Sequence, residues 1–253
     1  MNVVVITGAS SGIGQEFALQ IDTGFSNIDE IWLVARRKER MEELAQVMEH
    51  KTRLIVMDVN DEYAMDDFEK LLYDCDCKVR MLINCAGYGV FGAVEDMELE
   101  EQLGMIRTNC EALTRLTYLC LPYMSKNSRI INLASSAAFM PQAGFAVYAA
   151  SKSYVLSFSR GLNEELRKRH IYVTAVCPGP VRTEFFDIAE RYGSSLAIKK
   201  LVMAEAEDVV NQALRDSYLK KSMSVYSLPI KGFLALTKCW PHEVLLTATR
   251  LFK

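Results

Sequence analysis

No uncharged apolar run approaches the roughly 18 to 20 residues that a bilayer-spanning helix needs, so no membrane-spanning helix is expected. A basic excess is missing too. Lys and Arg total 29 against 32 Asp and Glu, and the net charge of -3 leaves no basic face for nucleic acid. Histidine is scarce, and His50, His170 and His242 show neither ligand spacing nor an acidic partner motif, so surface or packing roles are expected. The seven cysteines are odd in number and scattered. Cys75 and Cys77 form a lone C-x-C with no second pair, which argues against both a metal site and a disulfide framework. These thiols read as small hydrophobes in a reducing compartment. No secretory signal precedes the apolar run that starts at Asn2, and a cytoplasmic location is expected. Repeats, low-complexity stretches and linkers are also missing, so the 253 residues read as a single domain with a sizeable core.

Against these absences stands a regular alternation. Short apolar, β-branched runs at 2–7, 31–35, 53–58, 81–84, 129–135 and 172–177 read as strands buried on both faces. Helix-length segments at 12–22, 38–50, 61–74, 99–125 and 147–169 separate them. Such alternation implies right-handed βαβ crossovers and an α/β fold with a doubly wound parallel sheet, a Rossmann fold. After Pro178 the pattern loosens, leaving a helix near 205–220 and a possible last strand at 224–228.

"TGASSGIG", Thr7 to Gly14, follows the first strand and opens the first helix. Gly8 permits the tight turn, while Gly12 and Gly14 allow close approach of backbone to pyrophosphate and of helix to sheet. The amides of Ser10, Ser11 and Ile13, with the dipole of the helix start, favour phosphate charge. No lysine follows the glycines, so the loop is not that of a nucleoside triphosphatase. NAD selection needs a carboxylate about 20 residues further on, at the end of the second strand. Here the chain reads "LVARRKER", with Arg36 and Arg37 and no acid before Glu39. Arginine holds a 2′-phosphate by charge-assisted bonds, so NADP(H) is the expected cofactor; the alternative is that these arginines merely open a solvated helix.

Tyr148 and Lys152 lie four residues apart in "FAVYAASKSYVLSF", on one face of a predicted helix. They are either an acid with the cation that tunes it or a core tyrosine beside a surface lysine. The order of motifs along the chain bears on that choice. "TGASSGIG" at 7–14 is followed by "DVND" at 58–61, "NCAG" at 84–87, Asn109, Ser135, "YAASK" at 148–152 and "PGPVRT" at 178–183. In this order the sequence resembles the short-chain dehydrogenase/reductase family over nearly its whole length, with the likeness fading after about Ala189. "NCAG" departs slightly from the commoner Asn-Asn-Ala-Gly.

The resemblance implies a division of labour. Tyr148 is the acid that protonates a carbonyl oxygen, Lys152 lowers its pKa and holds the nicotinamide ribose, and Ser135 binds the substrate oxygen, with Ser136 as its rival next door. Asn109, inside a long helix that asparagine does not favour, offers a backbone carbonyl to a water that links the lysine to solvent. Asp58 and Val59 flank the adenine, and Asn84, Ala86 and Gly87 line the adenosine ribose and phosphates. Pro178, Gly179, Val181 and Thr183 meet the nicotinamide. The implied activity is NADP(H)-dependent interconversion of a ketone or aldehyde with an alcohol, on a small-molecule partner. The alternatives are an idle NADP-binding sensor or subunit and a membrane-peripheral reductase of lipid carbonyls.

Phe91, Phe139, Met140, Phe145, Phe185 and Phe186 suggest an apolar substrate, with a lid over about 184–200. The apolar segment from Met223 to Lys253 reads as a lid or subunit contact; an interfacial helix is the rival reading. Apolar and small residues on more than one face of the helices at 99–125 and 147–169 suggest pairing across a two-fold axis, hence a homodimer or homotetramer.

Overall fold

The computed structural model describes residues 1–189 and 203–250. Seven parallel strands form one sheet in the order β3-β2-β1-β4-β5-β6-β7. They are β1 (Asn2–Thr7), β2 (Glu30–Ala35), β3 (Thr52–Val56), β4 (Lys78–Asn84), β5 (Arg129–Leu133), β6 (Tyr172–Val176) and the short β7 (Met223–Ser224). The helices among the described residues are α1 (Gly12–Gly24), α2 (Lys38–Val47), α3 (Glu62–Asp74), α4 (Leu99–Ile106), α5 (Leu113–Cys120), α6 (Ala146–Glu165), α7 (Phe185–Ala189), α8 (Ala206–Tyr218), α9 (Leu228–Cys239) and α10 (His242–Arg250).

Successive strand residues face opposite sides of the sheet, and the strands accordingly feed two cores. Val3, Val5, Trp32, Val34, Leu82, Ile130 and Val173 meet Phe68 and Leu72 of α3, Leu116 of α5 and Leu162 of α6. Val4, Ile6, Ile31, Leu33, Ile83 and Ile131 meet Phe17 and Ile21 of α1, Met41 of α2 and Val209 of α8. Both faces are therefore dry, which is why the strand sequences are almost continuously apolar. Each buried large side chain contributes about 1.5–3 kcal/mol by removal from water. Trp32 meets its polar need by donating Nε1–H to Glu30 at 2.9 Å, a carboxylate that Lys51 and Arg53 also approach.

Several boundaries differ from the sequence reading. The segment 99–125 is helical from Leu99 to Tyr123, but not uniformly α: a π turn, Arg107–Ala112, lies between α4 and α5, and a 3-10 turn, Leu121–Tyr123, closes it. β5 stops at Leu133, because Ser135 caps a 3-10 turn over Ser136–Phe139 by accepting the Ala137 amide at 3.1 Å. The strand expected at 224–228 ends at Ser224, since Pro229 sits in the first turn of α9. His50, read as partnerless, lies 3.0 Å from Asp22 Oδ1. Asp22 also accepts the amides of Glu49 and His50 at 2.8 Å, fastening α1 to the turn before β3. Residues 190–200 of the expected lid lie outside the described residues.

Candidate active site

Strand order reverses between β1 and β4, which pair side by side with Thr7 opposite Asn84. Chains leaving the carboxyl ends of these two strands must diverge, and the crevice between them is where open α/β sheets bind ligands. A cleft of about 1060 Å³ opens there. Of the residues singled out by sequence, Gly8, Ser10, Ser11, Gly12, Ile13, Gly14, Arg36, Arg37, Asp58, Val59, Ala86 and Gly87 line one half. Ser135, Tyr148, Lys152, Pro178, Gly179, Val181 and Thr183 line the other.

The glycine-rich loop is cut to fit a phosphate-bearing ligand. Gly8 and Gly12 have positive φ, at 66° and 55°, and a Cβ on Gly8 would sit 2.8 Å from the Ala86 amide. Thr7 completes the turn by accepting the amides of Cys85 and Ala86 at 3.1 and 3.0 Å. Ser11, the residue before α1, makes no side-chain cap, so the first-turn amides are left for a ligand. At the far end of the loop, Arg36 is exposed and only 3.6 Å from Asp58. Arg37 is more tightly engaged: Nε donates to Ser10 Oγ at 3.1 Å and Nη2 to Ser11 Oγ at 2.6 Å.

Tyr148 and Lys152 do share a face of α6, and both are buried. Lys152 Nζ lies 5.7 Å from the Tyr148 ring centre and donates to the Leu133 carbonyl at 2.7 Å. Burial sets both proton affinities. It pushes the Tyr148 phenol up to about 12, with the Ser135 hydroxyl pulling the other way. It lowers Lys152 to about 8 against the opposing influence of Cys85, Cys110 and Cys177. The amine serves a carbonyl rather than the phenol, and desolvation dominates. Both rival serines, Ser135 and Ser136, line the cleft.

Asn84 and Asn109 lie behind the residues that line the cleft, and their side chains are engaged there. Asn84 Nδ2 donates inward to Asn132 Oδ1 at 2.9 Å, across β4 and β5. Asn109 lies in the π turn, where widened backbone pairing slips the carbonyl register by one residue. Its side chain accepts the Tyr88 amide at 3.0 Å and donates to the Tyr88 carbonyl and Ser151 Oγ, each at 2.9 Å. It thereby ties the loop after β4 to α6, and a Cβ on Gly87 would lie 2.7 Å from its Oδ1.

Sequence reasoning missed several wall residues. Gly89 lies flat against the Tyr148 ring, so that any side chain there would displace it. Ile230 and Phe233 of α9 reach the cleft, Ile230 against Gly179. Phe145 stacks on both Phe91 and Tyr148, with ring centres 4.0 and 4.2 Å apart, and Phe185 approaches Tyr148 at 5.6 Å. Phe139 packs on Phe233 at 6.0 Å. Among the described residues, no group of His, Cys, Asp or Glu is placed to hold a metal ion. No described helix is long and apolar enough to cross a membrane.

Known proteins similar to this chain are numerous. An uncharacterized oxidoreductase from Staphylococcus epidermidis is 33% identical over 217 residues, covering 84% of this chain and 90% of that protein. Sulfoacetaldehyde reductase 2 from Chromohalobacter salexigens is 32% identical over 239 residues, covering 90% and 93%. The structure of a short-chain dehydrogenase from Sphingobium yanoikuyae in complex with NADPH superposes with a TM-score of 0.79 at 29% identity, covering 90% and 89% of the two chains. The short chain dehydrogenase family matches residues 2–191. With its glycine loop, its tyrosine and lysine on one helix face and this likeness along the sequence, the chain belongs to the short-chain dehydrogenase family of oxidoreductases.

Proposed function

We propose that this protein is an NADP(H)-dependent oxidoreductase that reduces an apolar ketone or aldehyde to an alcohol. The observation that carries the reading is the convergence of the glycine loop, Arg36, Tyr148, Lys152 and Ser135 on one cleft. When bound, a nicotinamide dinucleotide would supply the hydride. The chain's own residues do the rest. Tyr148 keeps its proton at neutral pH, because burial raises its pKa, and gives it to the substrate oxygen. The Ser135 hydroxyl binds and polarises that oxygen. Lys152 provides a buried cation next to the phenol, and Asn109 holds the loop against which that lysine sits. The aromatic wall of Phe91, Phe145 and Phe185 favours an apolar substrate and keeps water from the reacting atoms. Ile230 and Phe233 give the C-terminal segment a place in that wall.

The NADPH complex of the Sphingobium yanoikuyae relative and the NADP+ complex of serine dehydrogenase, 26% identical with a TM-score of 0.77, support the same cofactor here. Arg36 is the freer of the two arginines to take the 2′-phosphate. We place the protein in the cytoplasm, in keeping with Cys77, Cys85, Cys120 and Cys177 buried among apolar side chains, and assign it a homodimer or homotetramer. The test of cofactor choice is the ratio of kcat/KM with NADPH and NADH. Each charge-assisted hydrogen bond removed by Arg36→Asp with Arg37→Ala should move it toward NADH by about 10- to 150-fold. An unaltered ratio would show that this loop does not read the phosphate.

A further inference from the structure

The cleft has a carboxylate that the proposed chemistry does not use. Glu184 follows Thr183 and directly precedes α7, the helix that brings Phe185 to Tyr148. Its side chain reaches back across the mouth of the cleft to the first residues after β2. Oε2 lies 2.8 Å from Arg37 Nη1, and Oε1 lies 3.6 Å from Arg40 Nη2. The guanidinium of Arg37 already gives Nε and Nη2 to Ser10 and Ser11. With five donor hydrogens in a fixed fork, it has little left for a phosphate while Glu184 is in place. Arg36 is engaged only at 3.6 Å, by Asp58, and its side chain is 75% exposed. The two neighbouring arginines are therefore unequal, and Glu184 adds to the difference. The pair it forms with Arg37 is itself half exposed, at 44% and 43%, which makes it weak enough to be displaced.

We propose that Glu184 is a specificity-determining residue for the cofactor. Its carboxylate occupies Arg37 and Arg40 and repels a 2′-phosphate, and so it restrains the preference for NADPH that the arginines confer. The inference rests on the assignment of a nicotinamide dinucleotide to this cleft. NADH carries the same pyrophosphate but no 2′-phosphate, so the ratio of the two affinities isolates the effect.

The experiment is the dissociation constant of each cofactor, read by quenching of protein fluorescence, for the parent, Glu184→Gln and Glu184→Ala. Gln keeps an acceptor for Arg37 and removes the charge; Ala also frees the Nη1 donor. The site is half exposed, so neither change should disturb folding. Both should tighten NADPH relative to NADH by about three- to tenfold, the scale of one or two half-exposed ion pairs, with Ala at least as effective as Gln. The gain should shrink as salt rises. A ratio that is unchanged or falls in both variants would overturn the proposal, since Glu184 would then be a surface link or a residue that aims Arg37 at the phosphate. The parent ratio tests the arginine assignment separately. If the parent shows no preference, a preference created by Glu184→Gln still upholds the proposal, and none in either variant overturns it.

Discussion

Tyr148 and Lys152 depart from their solution proton affinities in opposite directions for one reason, the loss of water around each. The phenol is a firmer acid reservoir than free tyrosine, and the ammonium is a more easily neutralised cation. Only the lysine therefore titrates near neutrality. Below about 8 it is charged, and above that value it is neutral, while Tyr148 stays protonated to about 12. For carbonyl reduction, kcat/KM should fall as pH rises through about 8. Lys152→Arg, cationic throughout, should lose that limb whatever its absolute rate. A profile whose limb survives in the arginine variant would assign it to another group. The four-residue spacing, a local signal, drew attention to the pair, and the order of motifs along the chain gave it its reading. Gly89 was not legible, because its closeness to the Tyr148 ring depends on two segments far apart in the chain. Glu184 was equally hidden, its partners Arg37 and Arg40 lying on the opposite rim.

Helices and strands were legible wherever one hydrophobic pattern ran unbroken. The strand pattern was near-continuous because both sheet faces are covered, and β1 through β6 fall within a few residues of expectation. The π turn at Arg107–Ala112 was not, since it is a change in backbone hydrogen-bond register that residue types do not report. Asparagine at 109 was the one local hint. The outer faces of these elements carry Leu103, Ile106, Tyr118 and Tyr154 at 36%, 46%, 76% and 42% exposure. Tyr154 is held flat by stacking on Phe158 at 5.8 Å and by a hydrogen bond with Thr114 at 2.8 Å. A rigid, aromatic helix face of this kind suits pairing with a second copy. Light scattering at micromolar concentration should give a dimer or tetramer mass. Tyr118→Glu with Tyr154→Glu should reduce it to the monomer, and a monomeric parent would contradict this surface.

At the scale of the whole molecule, the alternation of strands and helices dictated a parallel sheet, and the glycine loop after β1 located its ligand crevice. The return of α9 to the cleft was not readable, because Ile230 meets Gly179 through packing that no periodicity encodes. That wall of the cleft is assembled from the loop after β4, the start of α6, α7 and α9. The central claim is that this cleft performs reduction with Tyr148 as the acid. It is tested most directly by following loss of NADPH absorbance over a panel of apolar ketones and aldehydes, with the parent and with Tyr148→Phe. Phenylalanine keeps the ring stacked on Phe145 and removes only the transferable proton. The account predicts turnover by the parent of at least one carbonyl, and in the variant undiminished NADPH affinity with turnover lower by about 10² or more. NADPH binding without turnover across the panel, or a variant within a few-fold of the parent, would contradict it.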